Sequence, residues 1–241
     1  MGYLVLADIH ANLQALDAVL AAAPEYDAVL FLGDLVGYGP NPNEVAERLL
    51  ALPNLTALLG NHDLAALGAI DLSTFNPVAR FAAEWTARQL SPESREYLAA
   101  LSPRLDLTDV TLAHGSPRDP VWEYLVDLDE AEPNFAAFTA PLALVGHTHV
   151  PRTFLVTDGA ITLPPSNAGA VLNTASGRAI VNPGGVGQPR DGDPRAAFGI
   201  LDTDEETFRF ERVPYDVGET QERMLEAGLP PSLAARLSYG L

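Results

Sequence analysis

The sequence predicts a layered α/β domain with a second sheet packed on the first. Three observations predict it. Continuous apolar runs of four to six residues, the kind found in strands buried on both faces, each stop at a polar residue. Patterns with helical spacing lie between these runs. After His149 the runs become shorter and turn residues separate them.

Residues 3–7 run into Asp8-Ile9-His10, and residues 28–32 into Gly33-Asp34. Residues 55–59 run into Gly60-Asn61-His62-Asp63, residues 110–113 end at His114, and residues 142–145 lead to Gly146-His147-Thr148-His149. Between the first two runs, residues 12–23 carry Leu13, Leu16, Val19 and Leu20 at helical spacing, with Asn12 in position to cap them. Residues 43–52 repeat the pattern with Val45, Leu49 and Leu50. Ser91-Pro92-Glu93 reads as an N-cap with proline at the first helical position, opening a helix to about Leu101. Strands alternating with helices argue for a layered α/β domain. Residues 153–156, 160–163, 178–181, 197–201 and 207–210 read as an antiparallel continuation. Residues 164–176, rich in Pro, Gly, Ser and Asn, read as a long loop or distorted hairpin. Residues 219–241 form two weak helical segments parted by Gly228-Leu229-Pro230-Pro231. The chain reads as one domain over 1–241, with a core at about 1–213 and a helical extension at about 214–241.

Composition narrows the function. All 14 basic residues are arginines, against 32 acidic residues, so the formal charge is −18. A polyanion is repelled at long range, which disfavours non-specific nucleic-acid binding and anionic membranes. A 47% hydrophobic content suffices for a core and excludes a solvated, unfolded chain. With no cysteine there is no disulfide, thiolate metal site, iron–sulfur cluster or thiol nucleophile. No apolar run reaches the roughly 18 residues of a membrane span. Residues 1–8 have no basic region or cleavage site, and Leu6 stands where an N-myristoylation motif wants Ser or Thr. A cytoplasmic protein is the expectation.

The five histidines, His10, His62, His114, His147 and His149, all sit where an apolar run stops, as do Asp8, Asp34, Asn61 and Asp63. In open α/β sheets the carboxyl ends of the strands face one crevice, so side chains there converge although distant in sequence. Imidazole and carboxylate donors without sulfur suit Zn, Mn, Fe, Co or Ni. The set is too large for one tetrahedral ion and fits two ions sharing a carboxylate, the arrangement that clamps a phosphoryl group. Asp8-Ile9-His10 and His147-Thr148-His149 support this, because alternate side chains of an extended segment point the same way. A dinuclear oxygen-activating centre is the weaker alternative, since no histidine here has Glu three residues before it.

These five blocks, in this order, resemble the calcineurin-like metallophosphoesterases. The stretches 33–40 and 114–120, with Asn182-Pro183-Gly184 and 186–192, look like its bacterial phosphodiesterase or protein-phosphatase-like branch. The resemblance implies a four-layer α/β/β/α sandwich with a dimetal site at the C-terminal edge of the strands. It implies that Asp8, His10 and His149 hold one ion and Asn61, His114 and His147 the other, with Asp34 bridging. Manganese comes first among the expected ions. The implied reaction is in-line attack on phosphorus by a hydroxide shared between them. His62 would protonate the leaving oxygen or stabilise transition-state charge, and Asp63 would orient His62. One departure is that Gly185 stands where related sequences usually have Ser, removing a hydroxyl near the site.

With no lysine, Arg118, Arg152 and Arg190 are the basic groups close to motif or loop positions, and each reads either as a phosphate contact or as a solvated turn residue. Asn12 reads as a phosphate contact or as a helix cap, and Tyr38 as a pocket wall or as packing. Trp85 and Trp122 read as core or loop anchors rather than base-stacking platforms. The expected substrate is a small phosphomono- or phosphodiester or a nucleotide, with a phosphorylated protein loop as a further option. The alternative from another class is an idle scaffold or interaction module on the same fold, which the intact His62 and ligand set argue against.

Overall fold

The computed structural model describes residues 1–241, the side chain of Thr74 excepted. In chain order the elements are β1 (Gly2–Leu6), α1 (Leu13–Ala22), β2 (Ala28–Phe31), α2 (Pro42–Leu50), β3 (Leu55–Ala57) and α3 (Asn61–Leu67). Next come α4 (Pro77–Gln89), α5 (Pro92–Ala99), β4 (Arg104–Asp106), β5 (Val110–Ala113), α6 (Leu128–Asn134) and β6 (Leu142–Val145). The chain closes with β7 (Arg152–Thr157), β8 (Ala160–Thr162), β9 (Val171–Asn173), β10 (Arg178–Asn182), β11 (Ala196–Asp202), β12 (Thr207–Val213), α7 (Val217–Glu226) and α8 (Pro231–Leu237).

The strands form two mixed six-stranded sheets, ordered β3-β2-β1-β11-β12-β9 and β4-β5-β6-β10-β7-β8. β1, β2 and β3 run parallel in the first sheet; β5, β6 and β10 run parallel in the second. The side-chain alternation of β1 shows how the layers arise. Leu4 and Leu6 pack with Leu16 and Val19 of α1 and Val45 and Leu49 of α2. Val5 and Ala7 face the other way and join Leu112, Leu144 and Val181 between the sheets. On the far side, Val145, Phe154 and Ile180 pack with Ala131 of α6, Leu125 and Phe135. Helices, sheet, sheet and helix give the expected four layers.

The second sheet is not an appendage of late strands, as the texture after His149 suggested. β5 and β6 belong to it, while β11, β12 and β9 complete the first sheet by antiparallel pairing outward from β1. The 164–176 stretch, read as a long loop or distorted hairpin, carries the short strand β9, which pairs with β12. The caps read from sequence are in place: Asn12 accepts from Ala15 N–H at 3.1 Å, and Ser91 accepts from Ser94 N–H ahead of Pro92. β4 and the helices α4 and α6 carry signals too weak for the periodicity to mark. α7 and α8 press Met224, Leu233 and Leu237 onto Tyr38, Ala79 and Ala82. Trp85 is an anchor as expected, donating to the Ala227 carbonyl at 3.1 Å. No helix among the described residues is long and apolar enough to cross a membrane.

Candidate metal centre

The loops leaving β1, β2, β3, β5 and β6 meet at one edge of the sandwich, and they carry the motif residues with them. They do not do so by extended alternation, as the Asp8-Ile9-His10 spacing suggested. Asp8 (φ 54°), His10 (φ 48°), Asp34 (φ 58°), His147 (φ 66°) and His149 (φ 61°) are all left-handed. Asp and His tolerate this region better than branched residues, and such strain concentrates where a fold over-determines a site. Gly60 lets the loops close: a Cβ there would lie 2.0 Å from Asp34 Oδ1. Gly33 combines a positive φ of 92° with the same crowding, its Cβ position lying 2.8 Å from His114 Nδ1.

Main-chain carbonyls set the imidazole tautomers. His10 Nδ1 donates to the Val36 carbonyl (3.0 Å), His149 Nδ1 to Gln188 (2.6 Å) and His114 Nδ1 to Leu32 (2.8 Å). Each ring therefore turns an Nε2 lone pair inward. The Nε2 atoms of His10 and His149 then face each other at 3.1 Å, and His114 Nε2 faces Asn61 Oδ1 at 3.1 Å. The carboxylates are arranged alike. Asp8 Oδ1 accepts from His147 N–H and Asp34 Oδ1 from His62 N–H, while Asp8 Oδ2, Asp34 Oδ2 and His147 Nε2 are buried without a hydrogen-bond partner. Asp34 Oδ2 lies 3.5 Å from both His10 Nε2 and His114 Nε2. Buried acceptors that point at acceptors are costly unless a cation lies among them. The donors fall into two groups of metal-binding size, Asp8, His10, Asp34 and His149, and Asp34, His114 and His147, with Asp34 in both. The residues fit metal.

Burial disfavours the charged form of both the imidazoles and the carboxylates of the cluster. It pushes His10, His62, His147 and His149 well below the ordinary histidine range, so their rings are neutral. Burial also pushes Asp8 up to about 7, and raises Asp34 well above the usual carboxylate range with help from the Asp63 charge.

His62 is buried beside this cluster, its ring edge-on to His10 at 5.0 Å and tilted on Tyr38 at 4.4 Å. Its Nδ1 is buried and unpartnered. Asp63 does not orient it. The Asp63 carboxylate accepts from the backbone N–H groups of Gly60 (2.9 Å), Leu35 (3.2 Å) and Val36 (3.0 Å), clamping two motif loops together, and makes no hydrogen bond to the ring, whose Nδ1 is unpartnered. Among the expected substrate contacts, Tyr38 does line the site, edge-on to His10 at 4.8 Å. Arg190 also reaches it, with its guanidinium 5.8 Å from the Tyr38 ring and its charge acting on Asp8, Asp34 and His62. Asn12 is not available to substrate: it is buried, caps α1 and donates to the Gly187 carbonyl at 2.9 Å. Arg118 is half-exposed and paired with Glu123, and Arg152 sits in the β7 ladder opposite Asn182; neither is brought to the cluster. At Gly185 a Cβ would lie 3.1 Å from His149 Cβ, so the absent side chain leaves that ring its space.

Several supporting groups escaped sequence reasoning. The carbonyls of Leu32, Val36 and Gln188 carry no side-chain signature. Asn182 holds the His147 turn by donating to the Gly146 carbonyl (2.6 Å) and Thr148 Oγ1 (2.9 Å). Phe75 and Tyr124 contact the rings of His62 and His147, and nothing in their local sequence marks them.

A sandwich of two mixed sheets whose strand ends gather histidine and aspartate groups that could hold metal is the calcineurin-like phosphoesterase fold. Residues 1–206 match the calcineurin-like phosphoesterase superfamily domain, and the chain belongs to that family. It is similar over its whole length to the metallophosphoesterase structure from Sphaerobacter thermophilus, at 48% identity and a TM-score of 0.91, covering 100% of this chain and 99% of that one. It is 34% identical to the uncharacterised protein MJ0912 of Methanocaldococcus jannaschii, over 98% of this chain and 97% of that protein. The hypothetical protein PH1004 of Pyrococcus horikoshii shares the fold, with a TM-score of 0.78 at 23% identity, over 100% of this chain and 98% of that one.

Proposed function

We propose that this protein hydrolyses phosphomono- or phosphodiesters at a two-cation centre. In this reading Asp8, His10 and His149 hold one divalent ion, Asn61, His114 and His147 the other, and Asp34 is shared. The observation that carries it is Asp34 Oδ2, buried, unpartnered and 3.5 Å from an inward-facing imidazole nitrogen of each donor group. When bound, divalent ions supply Lewis-acid neutralisation of the phosphoryl oxygens and make a hydroxide nucleophile accessible at neutral pH.

The protein's own groups do the rest. Arg190, whose Nε is buried without a partner, supplies a guanidinium for a phosphate oxygen. His62, neutral when the site is empty of anion, takes up a proton beside a phosphate and delivers it from its ring to the leaving oxygen. Asp63 acts through the backbone, fixing the loop that presents Asp34. Manganese is the first ion to try, with zinc, iron, cobalt and nickel after it. The test is turnover of p-nitrophenyl phosphate and bis-p-nitrophenyl phosphate by protein loaded with each ion in turn. We expect saturable hydrolysis of at least one ester; absence of turnover with every ion overturns the reading.

A further inference from the structure

A chain of aromatic rings leads from His62 to solvent. Phe75 meets His62 edge-on at 5.1 Å, and Trp122 meets Phe75 edge-on at 6.0 Å. Tyr124 stacks on His147 at 3.9 Å with the planes 29° apart. Trp122 and Tyr124 are nevertheless 40% and 46% exposed, so neither is a core residue. Their segment, between the His114 turn and α6, is tied down from behind. Leu125 is buried in the outer core, Trp122 N–H donates to Asp119 at 3.1 Å, and the Trp122 carbonyl accepts from His147. The carboxylates of the segment are engaged elsewhere: Glu123 with Ser116, Arg118 and Asn134, and Asp127 as the cap of α6. The result is a fixed aromatic wall, its Tyr124 hydroxyl hydrogen-bonded to the Arg190 guanidinium, on a strongly acidic protein and beside the group proposed to protonate the leaving oxygen. Exposed apolar surface held rigid at a site edge marks recognition.

Resting on the hydrolase reading above, we propose that Phe75, Trp122 and Tyr124 form the slot that binds the base of a leaving nucleoside, making this protein selective for nucleotide esters over phosphate esters of plain sugars or alkyl alcohols. A flat ring gains stacking from each of these side chains, whereas an aliphatic leaving group gains only desolvation.

The test compares two leaving alcohols that share one leaving oxygen and differ only by the base: AMP against ribose 5-phosphate, and the methyl ester of each to cover diesters. For the metal-loaded full chain, kcat/KM with the base is expected to exceed that without it by roughly five- to hundredfold, the range of one or two stacked contacts. Trp122→Ala should collapse this ratio and Trp122→Phe should keep most of it. Because the chain has two tryptophans, Trp85→Phe leaves Trp122 as the only one, whose emission is read by exciting on the red side of tyrosine absorption. AMP should then quench its emission saturably, and ribose 5-phosphate should not. Hydrolysis of p-nitrophenyl phosphate with no discrimination between AMP and ribose 5-phosphate overturns this proposal and leaves the hydrolase reading standing. Loss of a dimer in Trp122→Ala, seen by light scattering, with the ratio unchanged also overturns it and assigns the rings to a second copy of the chain. Failure of every phosphate ester to react instead removes the reading on which it rests.

Discussion

Asp34 commits one oxygen to the His62 amide and holds the other free among imidazole lone pairs, so its value lies in what it leaves unmade. His62 differs: its ring faces aromatic groups and takes part in neither group of metal-binding size. We therefore expect His62→Gln to retain bound metal, measured by elemental analysis after desalting, while kcat falls by about 10²–10⁴. Loss of metal together with activity would remove His62 from the proton-transfer role. The carboxylates make metal binding depend on pH with a definite sign. In the unfolded chain Asp8 ionises near 4, but burial moves it to about 7 in the metal-free fold, and Asp34 moves the same way. Between those values the folded state holds more protons than the unfolded one, so these groups destabilise it as pH rises. The buried histidines act oppositely, costing stability as pH falls below about 6.5. Bound cations require the ionised carboxylates and remove the first cost. The gain in Tm on adding Mn²⁺ should therefore grow from pH 5 to about 7; a gain that shrinks over this range contradicts the assignment.

At the scale of elements, the site is a set of loops fastened to one another. Asp63 ties the β3–α3 loop to the β2 loop, Asn182 ties β10 to the His147 turn, and Gly187 N–H donates to the Asp8 carbonyl at 3.0 Å. Asp63→Ala should therefore lower metal content as well as activity, whereas a residue acting only on His62 would spare the metal. Gly60→Ala should do the same more severely, because its Cβ has no space beside Asp34. Elemental analysis of both variants against His62→Gln separates the cases. This fastening also explains what the sequence could and could not disclose. A buried run such as residues 28–31 announces a strand through its apolarity, and the histidine that follows a run announces the strand's end. The direction of Asp8 and His10 was misread because left-handed backbone at Asp and His carries no hydrophobic period. The Asp63 contacts were misread because its partners are backbone amides, which every residue has. Membership of β5 and β6 in the second sheet was hidden because parallel strands buried on both faces look alike in either sheet.

At the scale of the whole molecule, charge opposes the proposed chemistry until the substrate arrives. A chain of net charge −18 repels an anionic ester at long range, and screening shortens that repulsion from about 30 Å at 0.01 M salt to about 8 Å at 0.15 M. The kcat/KM for bis-p-nitrophenyl phosphate should rise with ionic strength over this interval at constant metal activity. A fall would mean that the local field of Arg190 and the cations governs encounter. The place of β1 in its sheet has a different consequence. Its antiparallel partner is β11, with Gly2 opposite Asp202, and the Ala7 carbonyl receives the Val186 amide. During synthesis β1 must therefore wait, half-paired, for residues made about 180 positions later. At about 5–20 residues per second that wait lasts on the order of ten seconds or more. Nascent chains halted before residue 186 should remain open to protease at β1 and take up no cations, acquiring both protection and metal only once β11 has cleared the ribosome.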